Sequence, residues 1–342
     1  DRSLNMLVEM EGLQHEGSGD LYADLYDLVM KTKVENLSVN YEGIQYLSKA
    51  RADWGVTLAA DTKNMKFTLK DNKMKVNDLE VDLNGWVALP NEDDVVMDLT
   101  FGTPQNTFKS LLSIVPGAFT KDFGNVQANG SIQLAGMAKG VFNEKSYPAF
   151  KLDFKINNGE FKYPSLPLGI SGIHVDASVN SPTQRLNDMT VNIPAFSLRI
   201  GSNPLEGYFR LKTPETDPTI DTKIKGVLHF GELTKAFPVE GIQELSGILK
   251  MDVVAKAAMS QVDNQQYDQV DMHGDFTLTD FHYHGEGMPP VKINTLQGAL
   301  SPQQADIRQF DARLGKSDLQ ASGRIDNILA YFSTEKTMKG AI

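Results

Sequence analysis

The chain has 342 residues, of which 41% are hydrophobic and 23% are charged, and this balance excludes a disordered chain. A net charge of −11 with dispersed basic residues excludes a nucleic-acid surface, which needs a clustered basic patch. The absence of cysteine excludes disulfides, thiolate metal sites and cysteine nucleophiles. No apolar run is long enough for a membrane-spanning helix. The chain starts at Asp1 without a methionine, so we expect a processed or excised piece of a longer protein.

Residues 1–100 alternate between apolar and polar side chains, which is typical of half-buried β-strands. The clearest strands run from Trp54 to Ala60 and from Leu79 to Leu89. Glycine- and asparagine-rich segments predict turns at 17–20 and 71–73. The segment 44–52 is predicted to form a short helical turn.

A change of period marks residues 106–115. Phe108, Leu111, Leu112 and Val115 have the spacing of an amphipathic helix, which Pro116-Gly117 would end. Strand-like alternation then returns over 126–139.

The most regular alternation lies between Tyr147 and Leu233. Phe150, Leu152, Phe154 and Ile156 occupy every second position, with charged residues between them. Asn157-Asn158-Gly159 predicts a hairpin turn directly after this strand.

Beyond this region a second short helix is predicted over 232–237, ended by Pro238. Further strands follow, separated by a polar turn or loop over 260–266. A third short helix is predicted over 326–332, and residues 340–342 resemble the start of a strand that is cut off.

Two segments of the chain resemble each other. Residues 102–140 and 226–257 each combine a short helix, a loop and a glycine-containing strand, and 323–342 begins a third copy. We therefore predict four parts: a β-rich portion 1–100, repeat units 101–225 and 226–322, and a truncated unit 323–342. The predicted fold is mainly β: an elongated, strongly twisted antiparallel sheet system forming a curled groove or a sandwich, with a few short α-helices. Glycines inside the strands indicate bends or close backbone approach.

No catalytic motif is present, so we predict a protein that is not an enzyme and needs no cofactor. The weak metal candidate is His282 with His284, beside Glu286; a solvated hairpin edge explains these residues better. The acidic run 92–94 is better explained as a solvated loop tip than as a calcium site.

The apolar strand faces carry the main functional hypothesis. Alternation alone favours an ordinary sandwich core, but a single curved sheet would leave the same side chains lining a groove for acyl chains. The candidate groove positions share an inward place in an alternating strand. They are Phe150, Leu152, Phe154, Ile156, Val175, Val191, Leu198, Phe209, Leu249, Met251, Phe276 and Leu278.

Three stretches also carry a family resemblance: FKLDFKINNGEFKYPSLP (150–167), TVNIPAFSLRIGSNPLEGYFRLKTP with the following TIDTKIKG, and QQYDQVDMHGDFTLTDF (265–281). Across most of 95–342 the sequence resembles the AsmA family, in particular its Bacteroidetes-type members, which are related to TamB-like and YhdP-like proteins. The resemblance implies a periplasmic body whose parent protein is anchored in the inner membrane. It also implies a curled antiparallel sheet with an apolar groove, and a role in outer-membrane biogenesis and lipid movement.

The expected partner is therefore a phospholipid or another envelope lipid, with no nucleic acid and with unknown partner proteins. One alternative is a structural scaffold for outer-membrane assembly that does not itself bind lipid. Another is a carbohydrate-binding surface, which would need exposed aromatic side chains and has little support from Trp54 and Trp86.

Overall fold

The computed structural model describes residues 6–22, 24–41, 44–104, 106–114, 126–162, 167–236, 242–285, 289–302, 304–315, 317–326, 328 and 339–341. The protein is mainly β, as predicted: its described part contains 20 strands of one large antiparallel sheet and three short α-helices. The chain divides into two compact units, residues 1–159 with 177–189 and residues 160–176 with 190–342. The predicted division into four parts stays a prediction.

Unit 1 contains long strands joined mostly in chain order. They are β1 (Met6–Glu11), β2 (Gln14–Tyr22), β3 (Leu25–Tyr41), β4 (Ile44–Asp61), β5 (Lys66–Val76), β6 (Leu79–Ala88), β7 (Val95–Gly102), β8 (Asn106–Thr107), β9 (Gln127–Phe142) and most of β10 (Ala149–Lys162). Antiparallel registers link β3 to β4, β4 to β5, β5 to β6, β6 to β7 and β7 to β9.

Unit 2 repeats the same antiparallel pattern. Part of β11 (Ile170–Ser181) belongs to it, followed by β12 (Thr190–Ile200), β13 (Asn203–Lys212), β14 (Thr219–His229), β15 (Ile242–Ala258), β16 (Asp271–Gly285), β17 (Val291–Leu300), β18 (Gln304–Leu314), β19 (Ser317–Asp326) and β20 (Lys339–Ala341). Each strand from β12 to β19 pairs with the next along the chain.

Three short helices interrupt the strands: α1 (Phe108–Leu112), α2 (Phe230–Ala236) and α3 (Met259–Asp263). The first two confirm the helices predicted near 106–115 and 232–237, and each precedes a long strand, as the sequence repeat requires. The backbone N–H of Ser110 donates to Oγ1 of Thr107, which caps α1. The predicted loop over 260–266 is wrong at its start, because α3 occupies that position. The predicted helix over 326–332 lies largely outside the described residues, and residue 326 itself ends β19.

Four local predictions in unit 1 are wrong, because the chain continues as a strand through each segment. The helical turn over 44–52 is the first half of β4, and the turns predicted at 17–20, 71–73 and 157–159 all lie inside continuous strands. Two of these segments carry irregularities that explain their turn-like composition. The register of β5 shifts between Leu69 and Asn72, and Asn158 has a φ of 50°. The turn-like residues at 71–73 therefore coincide with a β-bulge.

Fully buried hydrophobic side chains are scattered along both units. In unit 1 they are Val34, Ala50, Val56, Ala60, Val76, Leu79, Phe108, Val126, Ile132 and Ile156. In unit 2 they are Ile170, Ile173, Ile200, Val262, Val270, Met272, Ala305 and Ala312. A compact cluster forms where Val262 of α3 meets Val270 and Met272, with Ala255, Tyr267 and Leu300 packed around it. Most other apolar strand positions remain half-buried.

Candidate functional site

Seven of the predicted groove residues lie on one face of unit 2. The cross-strand registers place them together; they are Val191, Leu198, Phe209, Leu249, Met251, Phe276 and Leu278. Directly paired residues of antiparallel strands point to the same side of a sheet. We call this side the apolar face of unit 2.

Two rows of apolar residues and glycines cross the middle of this face. The first row runs through Leu198, Leu205, Gly226, Met251, Phe276, Gly298, Ile307 and Gly323. The second row runs through Leu228, Leu249, Leu278, Leu296, Phe310 and Ala321. A register shift between Ile307 and Phe310 keeps both side chains on this face although three positions separate them. The rows form a continuous apolar surface across neighbouring strands.

The seven predicted residues on this face are half-buried, and none of them reaches full burial. A closed sandwich would bury such side chains almost completely between two layers. Cover is concentrated at the two ends of the strands. At one end Val262 of α3 packs on Met272, and at the other the ring of Phe230 in α2 meets that of Phe281 edge-on, with centroids 5.3 Å apart. The described residues of the central rows are therefore less buried than the core of a closed sandwich.

A cavity of about 350 Å³ opens from this face over β17, β18 and β19. Its apolar wall consists of Leu296, Ile307, Phe310, Leu319, Ala321 and Ile325. Leu319 lines the cavity and is 53% exposed, so the cavity is open to solvent at this residue. The cavity volume is within the range of small-ligand sites. These residues are not among the groove positions predicted from the sequence, although the alternation that marks Phe276 and Leu278 continues through them.

Three phenylalanine rings lie across glycines of the next strand. The pairs are Phe101 with Gly136 in unit 1, and Phe196 with Gly207 and Phe276 with Gly298 in unit 2. A Cβ atom added to Gly298 would lie 2.8 Å from the ring of Phe276, so the ring covers the space that a side chain would need. Such pairing places a flat aromatic surface where the sheet has no side chain of its own.

The opposite face of unit 2 is charged. The carboxylate of Asp252 is 3.2 Å from Lys225 and 3.3 Å from Lys223, and Arg308 is 2.9 Å from Asp275. The hydrogen bond from Lys225, followed by that from Lys223, holds the pKa of Asp252 below its ordinary value although partial desolvation opposes this shift. A concavity of about 450 Å³ is lined by charged residues, including Glu206 and Asp275, and also by apolar residues, including Val227 and Met251. The β17–β19 cavity has the more uniformly apolar wall of the two and is the better suited to an acyl chain.

The remaining predicted groove residues lie on two other strands. Phe150, Leu152 and Phe154 are half-buried on β10 in unit 1, and Ile156 of the same strand is fully buried. Ile156 is therefore a core residue of unit 1. Val175 lies half-buried on β11, in the part that belongs to unit 2.

Of the two weak metal candidates, His282 and His284, the first forms an ordinary polar contact. Nδ1 of His282 lies 3.2 Å from a carboxylate oxygen of Glu244, and Glu286 lies outside the described residues. Within the described ranges no three potential ligand side chains form a metal-binding group. In the acidic run, Asp94 accepts hydrogen bonds from Asn143 and Asn91, which lower its pKa and tie the loop together.

The two tryptophans lie on different strands of unit 1, Trp54 on β4 and Trp86 on β6. The ammonium of Lys66 lies 4.2 Å from the ring centroid of Trp86, so a cation already covers that ring. Trp54 is 36% exposed on β4.

Comparison with known proteins adds no homologue: no family model, curated protein or solved structure matches the chain significantly. The structure itself defines the fold class, which is an all-β, repeat-like antiparallel sheet with three short helices in its described part. Within that part, none of the helices has both the length and the apolar character needed to cross a bilayer.

Proposed function

We propose that the protein is a non-enzymatic lipid-binding module that holds acyl chains against the apolar face of unit 2. The observation that carries the proposal is the β17–β19 cavity, whose apolar wall continues into the two central rows. Burial of an acyl chain contributes about 0.8 kcal/mol per methylene, so an open apolar surface of this extent would be a favourable lipid site. The charged opposite face would stay in water.

We further propose an AsmA-like role in envelope biogenesis, with the protein acting in the periplasm as part of a parent anchored in the inner membrane. Two observations support this proposal: the sequence segments within 95–342 that resemble the AsmA family, and the β-rich fold that such a role requires. The lipid would be a phospholipid or another envelope lipid that moves along the sheet.

Native mass spectrometry of the purified protein tests the lipid proposal. We expect copurified phospholipid in the wild type and loss of most of it in the Ile307→Asn variant, since a polar amide in the cavity wall removes favourable apolar contact. The matched control is Val227→Asn, because Val227 pairs with Lys250 on the opposite, charged face of the sheet.

Circular dichroism and thermal unfolding must show that both variants fold. Lipid loss in Ile307→Asn with retention in Val227→Asn supports the proposal. Wild-type protein that carries no lipid, and takes up none from vesicles, would contradict it and favour the scaffold alternative.

A further inference from the structure

Two neighbouring rows of side chains on the charged face of unit 2 line the concavity of about 450 Å³. The first row crosses four strands through directly paired residues, which are Glu206, Lys225, Asp252 and Asp275. The second row lies two residues further along the strands and contains Val227, Lys250 and Thr277. The volume of the concavity is within the range of small-ligand sites.

Two charged side chains of this concavity, Glu206 and Lys250, have no ion-pair partner among the residues that the structure describes. Lys225 is the direct cross-strand neighbour of Glu206, but its ammonium lies 3.2 Å from the carboxylate of Asp252. The ammonium of Lys223 also contacts Asp252, at 3.3 Å. Asp252 therefore receives both lysines, and the carboxylate of Glu206 has no compensating cation.

The remaining acidic group of the concavity is already neutralised, because Asp275 lies 2.9 Å from the guanidinium of Arg308. The concavity thus offers a ligand one negative group, on Glu206, and one positive group, on Lys250. Both side chains are exposed, so a ligand can reach them. A simple anion or a simple cation would satisfy one of the two charges, whereas a zwitterion would satisfy both.

The spacing between Glu206 and Lys250 indicates the length of that zwitterion. β14 lies between their strands, and the two residues belong to neighbouring rows. Their Cα atoms are therefore about 12 Å apart, from a strand spacing of about 4.8 Å and a rise of about 3.4 Å per residue. An extended peptide advances about 3.3–3.6 Å per residue, so three residues span about 10 Å. Val227 on the intervening strand is half-buried and adds an apolar surface to the lining.

We propose that this concavity binds a short peptide of about three residues with free ends, whose ammonium pairs with Glu206 and whose carboxylate pairs with Lys250. The hydroxyl of Thr277, the cross-strand neighbour of Lys250, would donate a further hydrogen bond to the peptide carboxylate. The two opposite charges fix the direction in which the peptide binds. The site is independent of the proposed lipid site, which lies on the apolar face of unit 2.

Trialanine with free ends, N-acetyltrialanine and trialanine amide test the site. Binding is measured by NMR titration of isotope-labelled protein, and the site is located by the amide shifts of residues 225–227 and 250–252. We expect free trialanine to bind, and each blocked form to bind about tenfold more weakly because it lacks one charge. E206Q should abolish the discrimination against the acetylated form, and K250Q should abolish the discrimination against the amide.

The matched controls are E215Q and K212Q, which remove the same charges at exposed positions of unit 2. Both should bind free trialanine as the wild type does. The proposal is overturned if free trialanine shifts none of the named amides, or if the blocked forms bind the wild type as tightly as the free peptide. It is also overturned if the control variants lose the same affinity as E206Q and K250Q, since binding would then reflect net charge. The wild-type comparison of free and blocked peptides keeps the proposal testable even where a variant fails to fold.

Discussion

The phenylalanine–glycine pairs show how single residues shape the apolar face of unit 2. Gly298 is buried and pairs with Phe276 on one side and with Ile307 on the other. The ring of Phe276 covers Gly298. Glycine inside a strand normally weakens it, because no side chain packs there. The neighbouring ring compensates for this loss and keeps the surface continuous.

We predict that Gly298→Ala destabilises the protein by about 1–3 kcal/mol, since overpacking forces neighbouring groups to move. The new Cβ would lie 2.7 Å from the carbonyl oxygen of Asp306 and 2.8 Å from the Phe276 ring. Urea denaturation measures the change in the free energy of unfolding. Gly55→Ala is the matched control, because nothing lies within 4 Å of its added Cβ, and it should be neutral or slightly stabilising. Equal stability of both variants would contradict the role of the pairing.

The packing partner of each glycine could not be predicted from the sequence. Glycines within alternating strands predicted close backbone approach, but the sequence did not identify which ring covers which glycine. That partner is set by the register between strands, which a single strand does not encode. Asn72 is a further case: it is buried, and neither side-chain amide atom has a hydrogen-bond partner within the described protein. Its place in the sequence predicted an exposed turn.

At the scale of elements, α3 depends on a contact from a distant loop. The carboxylate of Asp217 accepts hydrogen bonds from the backbone N–H of Ser260 at 2.8 Å and from its hydroxyl at 2.7 Å. The first of these bonds, and then the second, lowers the pKa of Asp217, while partial desolvation opposes the shift. With five residues and one fully buried side chain, α3 has no helical apolar period that sequence reasoning could detect.

Replacement of Asp217 by asparagine should therefore change how stability depends on pH. A carboxyl group whose pKa is lowered by folding contributes stability that is present above its unfolded pKa of about 3.8 and is lost as the pH falls through the folded value. We expect D217N to be less stable than wild type at neutral pH, and we expect the difference to shrink below about pH 3.8. Denaturant unfolding at a series of pH values measures this. A difference that stays constant with pH would contradict the assigned role of the charge.

The turns that were predicted inside continuous strands also concern the scale of elements. Asn157-Asn158-Gly159 has the composition of a hairpin turn, and Asn158 does adopt a positive φ of 50°, but β10 continues through it. A local conformation can be predicted from such residues. Whether the chain then reverses depends on whether the neighbouring strand extends alongside, and that is a non-local property.

At the scale of the whole molecule, the extent of the proposed lipid-binding surface distinguishes two cases. A ligand could bind only in the β17–β19 cavity, or it could bind along the whole apolar face of unit 2. The two rows that cross the sheet extend from β14 to β19 in one case and from β12 to β19 in the other. A ligand confined to the cavity would gain contact only until the cavity is full. A ligand on the continuous face would keep gaining contact as it lengthens.

We predict that fatty-acid affinity rises about fourfold per added methylene, corresponding to about 0.8 kcal/mol, over chain lengths from about eight to sixteen carbons. Isothermal titration calorimetry of lipid-free protein, below the critical micelle concentration of each acid, measures the series. Leu249→Asn removes contact in the central row and should flatten the rise for the longer acids, whereas Val227→Asn should not. An affinity that stops rising at short chains would restrict binding to the cavity.

The sequence by itself determined the class of fold, the approximate strand positions, two of the short helices and the residues that point inward. These follow from periodicity, which is a property of each segment and its own side chains. Only the tertiary structure decided which strands lie side by side, that seven of the predicted residues share one face, and that this face is half-covered. Coverage depends on contacts between segments distant in sequence, here α2 and α3 over the strand ends. An alternating strand has the same pattern whether its apolar side meets a second layer or stays open.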